Sequence, residues 1–214
     1  MLWRTVCPKE KKTDDSVQPA MESCESSILR RTFMTCLCRC RTGMGILMNN
    51  DQGEIIIRKA TREDARQIAE ILVEDWQTAY RGIIDSDFLD SMSVEQRYQR
   101  EVQRYQQYTV AAEGKEILGF TWNEMADDEA ADCEIIALYV RYTKRKKGIG
   151  KALFQNSVDL FRASGRKKMI IWCLRANDEA RKFYEIMGGT VYKTGTHQWG
   201  NRDYDMISYL YQLE

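Results

Sequence analysis

Four cations and two glycines crowd one short stretch of the chain, Arg145-Lys146-Lys147-Gly148-Ile149-Gly150-Lys151. An apolar run, Cys133 to Val140, comes before it, and a helical pattern, Ile149 to Ala163, follows it. Where a strand turns into a helix, the unpaired N–H groups of the first turn and the positive end of the helix dipole converge on the loop. With lysine and arginine added, that point suits a phosphate-rich ligand. Two nucleotide-binding patterns fail here. A Walker A loop needs glycine at position 145 and serine or threonine at position 152, where this chain has Arg145 and Ala152. A dinucleotide fingerprint needs a third glycine at position 153, where Leu153 stands. A nucleophile–histidine–acid triad built on Cys133 or Cys173 would depend on His197, the only histidine, in a stretch read as a loop.

The elements that must position this loop follow from periodicity and end signals. Glu54 to Lys59 reads as a strand, and Thr61 caps a helix whose apolar positions are Ala65, Ile68, Ala69, Ile71, Leu72 and Trp76. Ser93 with Gln96 forms a capping box for a second helix, through Tyr98 to about Tyr105. Tyr108 to Ala112, a turn at Glu113-Gly114-Lys115, and Ile117 to Trp122 make a hairpin, followed by an acidic loop from Glu124 to Asp132. Past the helix that Gly165 stops, Met169 to Cys173 is a strand and Asn177 caps a helix from Asp178 to Met187, closed by Gly188-Gly189. Strands near Val191 to Thr194 and Tyr204 to Tyr211 complete the pattern. The expected class is α/β in the α+β sense: one mixed, mostly antiparallel central sheet of six to seven strands, with helices on both faces.

The loop read as Arg-x-x-Gly-x-Gly after a strand ending Leu138-Tyr139-Val140, together with Asn177 to Gly188 and its Phe183-Tyr184 pair, resembles the acetyl-CoA-binding core of the GNAT superfamily of N-acetyltransferases. The resemblance spans about Glu54 to Tyr211. It implies that the strand before the loop splays from its neighbour, so that pantetheine pairs with backbone at Leu138 and Val140. It also implies that loop amides hold the coenzyme pyrophosphate. Arg145, Lys146, Lys147, Gly148, Gly150, Lys151 and Asn177 are then coenzyme-binding positions, although Lys146 and Lys147 also read as ordinary surface charge. Gly148 and Gly150 have a reason to be glycine, since a Cβ would crowd the phosphate and strain the turn. The implied activity moves an acetyl group from acetyl-CoA, as co-substrate, to a primary amine of a small molecule or peptide by direct attack in a ternary complex. No metal is implied, and a homodimer is compatible with it. The alternative is an acyl-CoA-binding regulatory or interaction module without chemistry.

Acetyl transfer to an amine needs a base for the ammonium, a donor for the oxyanion and an acid for the leaving thiolate. Tyr184 suits the acid, because a phenol stays protonated at neutral pH and hydrogen-bonds a sulfur anion; packing beside Phe183 is its competing explanation. Glu134, ahead of Leu138, is the candidate base that the resemblance implies, set against an outward-facing solvated residue on an alternating strand. The N–H of Val140 is the implied oxyanion donor. On the acceptor side, Tyr80 and Arg81 are the pocket candidates, in a string Trp-x-x-x-Tyr-Arg-Gly-Ile-Ile that resembles a subgroup of bacterial GNAT proteins; Trp76 reads as core. Asp127, Asp128 and Glu129 either attract a cationic amine or are simply solvated.

Composition removes several classes. With 32 basic and 32 acidic residues in 214, formal charge is zero, so no global field favours nucleic acid. No run of about 18 apolar residues is present, so no membrane span is expected. Five of seven cysteines precede residue 41, and only two prolines occur, which fits a cytoplasmic protein rather than a disulfide-framed one. Cys36, Cys38 and Cys40 lack zinc-knuckle spacing and a nearby histidine. Residues 1–50 are expected to be a disordered or spurious N-terminal extension, with Met44 and Met48 compatible with a natural start, and residues 51–214 the domain.

Overall fold

The structure is a computed structural model; it describes residues 45–50 and 53–213, with side chains from Glu54 onward. The strands are β1 (Gly45–Asn50), β2 (Gly53–Lys59), β3 (Tyr108–Glu113), β4 (Glu116–Asp128), β5 (Ala131–Val140), β6 (Lys168–Leu174), β7 (Thr190–Trp199) and β8 (Arg202–Gln212). The helices are α1 (Ala65–Ala79), α2 (Ser86–Asp90), α3 (Val94–Arg104), α4 (Ile149–Ala163) and α5 (Asp178–Ile186). One sheet runs in the order β1-β2-β3-β4-β5-β6-β8-β7. Every pair is antiparallel except β5–β6. Strands β2 to β8 make the expected mixed sheet. The backbone of β1 adds an outer strand to β2, so the sheet begins before the expected boundary at residue 50. The remaining expectations for the N-terminal stretch, including its cysteines, lie outside the described residues.

Local chemistry sets the element ends. The Thr61 N–H donates to Asp64 at 2.7 Å ahead of α1, Ser93 Oγ accepts from the Gln96 N–H at the start of α3, and Asn177 Oδ1 accepts from the Ala180 N–H at 3.1 Å to open α5. Gly165 ends α4 at φ +76, a backbone that side chains with a Cβ avoid. The first face of the sheet carries α1, whose Ile68, Ile71, Leu72 and Trp76 pack on Val110, Ala112 and Phe120. On the other face, Phe154, Val158 and Phe161 of α4 cover Cys133, Ile135 and Ile171, and Tyr184 of α5 joins them.

Three expected features differ. The acidic loop is a hairpin: β4 continues to Asp128, which pairs with Ala131 of β5. Met125 and Asp127 are exposed along that extension while Glu124, Ala126 and Asp128 are half-buried, so its faces alternate without an apolar row to mark a strand. His197 stands in β7 with its ring 4.5 Å from Trp199, not in a loop. α2 has no counterpart among the expected elements; Asp85 Oδ1 caps it by accepting from the Phe88 N–H at 3.2 Å.

α3 holds down the first face through a buried ionic network instead of an apolar stripe. Glu101 is fully buried, and Arg97 (2.6 Å), Arg104 (2.7 Å) and the hydroxyl of Tyr108 all converge on its carboxylate. Removing such a carboxylate leaves two guanidiniums without their counter-charge. Glu101→Ala is expected to lower stability by about 3–5 kcal/mol, read from the urea midpoint, and Glu101→Gln by less because it keeps neutral hydrogen-bond acceptors.

Candidate active site

The site starts from a break in the sheet. β5 and β6 pair over only three residues, Cys133 with Met169, Glu134 with Ile170 and Ile135 with Ile171. Beyond that point β6 stays with β8 to Leu174, β5 stays with β4 to Val140, and the two strands part. The register explains the parting. Trp122 faces Ala137 and Asn123 faces Ile135, so Ile136 is an extra residue on β5 where the gap opens. A bulge of this kind bends its strand. The Arg141 N–H donates to Leu118 O at 2.8 Å, so by the alternation of an antiparallel ladder the N–H groups of Val140 and Leu138 point away from β4, into the gap.

The gap opens into a cleft of about 430 Å³. Leu138, Val140, Arg145, Lys146, Gly148, Gly150, Lys151, Asn177, Tyr184 and Tyr80 all border it, which gathers most of the positions singled out in the sequence. Lys147 is exposed and does not border it. Gly148 sits at φ +82 and Lys146 at φ 60, so the loop is left-handed at both residues before α4 begins. Gly148 therefore meets the expected backbone requirement. Gly150 does not: it lies within α4, where an added Cβ would meet Val140 Cγ2 at 3.5 Å and the Phe183 ring at 3.9 Å, both ordinary contacts. Its small size keeps the cleft open instead.

Tyr184 is buried against Phe183, ring centroids 5.5 Å apart, and burial raises its phenol well above the ordinary value of 10, so it stays protonated. Its hydroxyl makes no hydrogen bond among the described residues, while its carbonyl accepts from the Tyr211 hydroxyl at 2.9 Å. Tyr80 stands edge-on to Trp76 at 5.1 Å, and Trp76 is core, its indole N–H donating to the Tyr139 hydroxyl at 2.9 Å. Arg81 does not reach the cleft. It is exposed and bonded to Asp90 at 2.8 Å, because the chain turns outward into α2 directly after Tyr80. Trp172 contributes an indole N–H that is buried and has no hydrogen-bond partner among the described residues. It borders both the cleft and a small aromatic cavity of about 60 Å³ shared with Trp76, Tyr139 and Trp199.

Glu134 is buried, but it belongs to the paired part of β5 and does not border the cleft. Burial and the carboxylates of Asp128, Glu124 and Asp127 push its pKa up to about 7; Lys193, which opposes that rise, is itself bonded to Asp128. Two carboxylates do border the cleft, the exposed Glu179 of α5 and the buried Asp75 of α1, which sequence reading missed. Its signal was legible: it falls on the buried stripe of α1, three residues after Leu72 and four after Ile71. Cys133 and Cys173 are buried, and burial pushes both thiols up to about 12, which removes them as nucleophiles at neutral pH.

The profile of the Acetyltransferase (GNAT) family matches residues 65–188. The "Uncharacterized N-acetyltransferase YuaI" of Bacillus subtilis (strain 168) is 25% identical over 127 residues, covering 58% of this chain and 73% of that protein. The "Probable N-acetyltransferase Rv2775" of Mycobacterium tuberculosis is 28% identical over 137 residues, covering 61% of this chain and 77% of that protein. Among solved structures, the PaiA N-acetyltransferase of Thermoplasma acidophilum in complex with coenzyme A shares the fold at TM-score 0.57 and 23% identity, covering 73% of this chain and 99% of that one. A splayed parallel pair that ends on a left-handed, cationic glycine loop thus belongs to an acyltransferase fold, and this chain is a member of the GNAT acetyltransferase family. No helix among the described residues is long and apolar enough to cross a membrane.

Glu134 yields a stability test. A carboxyl whose folded pKa is raised favours folding while protonated; that contribution is complete below the unfolded value and is lost as pH rises through the folded one. A rise from 4.5 to about 7 corresponds to roughly 3 kcal/mol. Glu134→Gln is therefore expected to gain stability relative to the parent as pH rises from about 5 to about 8.5, read from urea midpoints at the two pH values.

Proposed function

We propose that this protein transfers the acetyl group of acetyl-CoA to a primary amine of a small molecule or peptide by direct attack in a ternary complex. The observation that carries the reading is the gap between β5 and β6, whose open end is the Arg145–Lys151 loop and whose inner wall holds Tyr184. The residues fit the coenzyme. Leu138 and Val140 offer backbone groups for an amide-bearing arm, the left-handed loop and the start of α4 offer N–H groups for a pyrophosphate, and Lys146 and Lys151 border the cleft with their charge. Coenzyme binding supplies the activated acetyl group. The chain's own groups then have distinct tasks: the Val140 N–H faces where an oxyanion would develop, and the Tyr184 phenol is a proton donor for a departing thiolate.

The acceptor enters, in this reading, from the α1 face, where Tyr80, Tyr139 and Trp172 border the cleft. A module that only binds coenzyme gives no reason for a buried phenol at the cleft wall whose hydroxyl has no hydrogen-bond partner among the described residues.

Thiol release from acetyl-CoA is to be measured with phenethylamine, putrescine, lysine and a short peptide with a free N-terminus, beside calorimetry of coenzyme A. Turnover with at least one amine is expected, and Tyr184→Phe should lower kcat about 100-fold while coenzyme affinity is retained. Binding without turnover on every amine would leave the binding module as the better reading; no coenzyme binding would remove both. Gly150→Ala is expected to fold normally, since its Cβ makes only ordinary contacts, yet to weaken coenzyme A binding by roughly tenfold, about 1.4 kcal/mol, because the methyl group projects into the cleft.

A further inference from the structure

The proton that the acceptor must lose has a second candidate receiver in the cleft. Asp75 is a carboxylate on the buried stripe of α1, in line with Ile68, Ile71 and Leu72, a face that helix packing would fill with an apolar residue. Its side chain is only 5% exposed, and it borders the cleft together with Tyr80, Tyr139 and Tyr184. Arg145, the first residue of the glycine loop, donates through Nη2 to Asp75 Oδ1. The other arm of the same guanidinium donates to Glu179 of α5 at 3.1 Å, and the Tyr142 ring lies under it at 5.3 Å. Arg145 thus ties α1 to α5 across the cleft and fixes the Asp75 carboxylate from one side. Among the described residues nothing hydrogen-bonds Oδ2.

We propose that Asp75 accepts the proton of the acceptor's ammonium and that Arg145 is the positioning residue that holds it for that step. The inference rests on the acetyl-transfer reading. In it, the N–H bond of the ammonium breaks with its electron pair staying on nitrogen, and the proton passes to Oδ2. The nitrogen pair then forms the bond to the acetyl carbon as the carbon–sulfur bond breaks and its pair leaves on sulfur. A second N–H proton reaches the sulfur by way of the Tyr184 phenol. The products are the amide, the free thiol and one proton, which Asp75 releases to solvent.

The surroundings suit that task. The charged groups acting on Asp75 are Arg145, Glu74 and Glu179, and the phenols around it are those of Tyr80, Tyr139 and Tyr184. Glu74 is turned to Arg141, 3.5 Å away. Burial raises the Asp75 pKa to about 6, and Arg145 opposes that rise. A base in this range is ionised at neutral pH and still has useful proton affinity. Glu134 lies one face-pair back from the opening of the gap, among Glu124, Asp127 and Asp128, and does not border the cleft.

The test is the pH profile of kcat, at saturating acetyl-CoA and the fastest amine of the panel above, for the parent, Asp75→Asn, Asp75→Glu, Arg145→Gln and Glu134→Gln. The parent should lose activity below an apparent pKa of about 6. Asp75→Asn should lose that acidic limb and roughly 100-fold in kcat while keeping its coenzyme A affinity by calorimetry, and Asp75→Glu should recover part of the rate. Arg145→Gln, which removes the cation that holds the value down, should move the limb to higher pH. An acidic limb retained in Asp75→Asn, or abolished instead by Glu134→Gln, overturns the proposal. Should Asp75→Asn fail to fold, an acidic limb unmoved in Arg145→Gln overturns it equally. A parent without turnover on any amine removes the acetyl-transfer reading itself, and this inference with it; turnover with unaltered profiles removes the inference alone.

Discussion

A strand inside a sheet must place the N–H and C=O groups of both its edges, and groups left unpaired away from water are costly. β5 satisfies one edge along its length with β4, but the other edge only as far as Ile135. The extra residue at Ile136 is what turns the strand away from β6. The cleft, its backbone donors and the approach of α4 to its mouth all follow from that divergence. Gly119 shows how tightly the bend is held. A Cβ there would come within 2.6 Å of Tyr139 O and 3.1 Å of the Val140 Cα, so β4 and β5 are pressed together at the end of β5, beyond its parting from β6. The pairing to β4 is thus the fixed side of the cleft.

The buried charges fall into two kinds, separated by how fully they are satisfied. Glu101 receives Arg97, Arg104 and Tyr108, so its carboxylate has no capacity left for a ligand. It is a fastening between α3 and β3. Asp75 receives Arg145 on one oxygen and borders the cleft, and Trp172 carries an indole N–H with no partner among the described residues. Incompletely satisfied polar groups at a cavity wall are destabilising unless something binds there. Both border the same cleft as Tyr184, where the proposed chemistry needs polar groups held in reserve.

Much of the fold was legible because periodic burial is strong in most of its elements. α4 spans Ile149–Ala163 as its amphipathic stripe and Gly165 indicated, and β3, the start of β4, β6 and α5 fall within a residue or two of their expected positions, whereas β4 runs six residues past its expected end. What was missed has a common physical cause. β7 exposes both faces along most of its length, and the outer half of β4 carries acids on both faces, so neither shows the apolar period that marks a strand. For the site, the glycine loop and the Asn177–Gly188 segment were readable because they are local in sequence. Asp75 and Arg145 are not: their contact joins residues 70 apart, and only a charged residue on an apolar helix stripe hinted at it. Arg81 was misplaced for the opposite reason. Its partner Asp90 belongs to α2, a five-residue helix too short to show a period.

Protonation of the proposed acceptor depends on the rings that border the cleft on the α1 face. Tyr80, Tyr139 and Trp172 border the cleft there, with Trp76 and Trp199 behind them. An ammonium brought against these rings loses hydration, and desolvation favours its neutral form. Aromatic faces also attract cations, which would hold the proton on. The two effects oppose each other, and the carboxylate beside the rings decides between them. A carboxylate of ordinary pKa would stabilise the ammonium without taking its proton; one whose pKa burial has lifted, while still ionised at neutral pH, is basic enough to take it. Arg145 limits how far that lift goes, because it also bonds the same carboxylate. One guanidinium, sited on the loop that would hold the coenzyme, therefore limits the basicity that burial gives the group proposed to meet the acceptor.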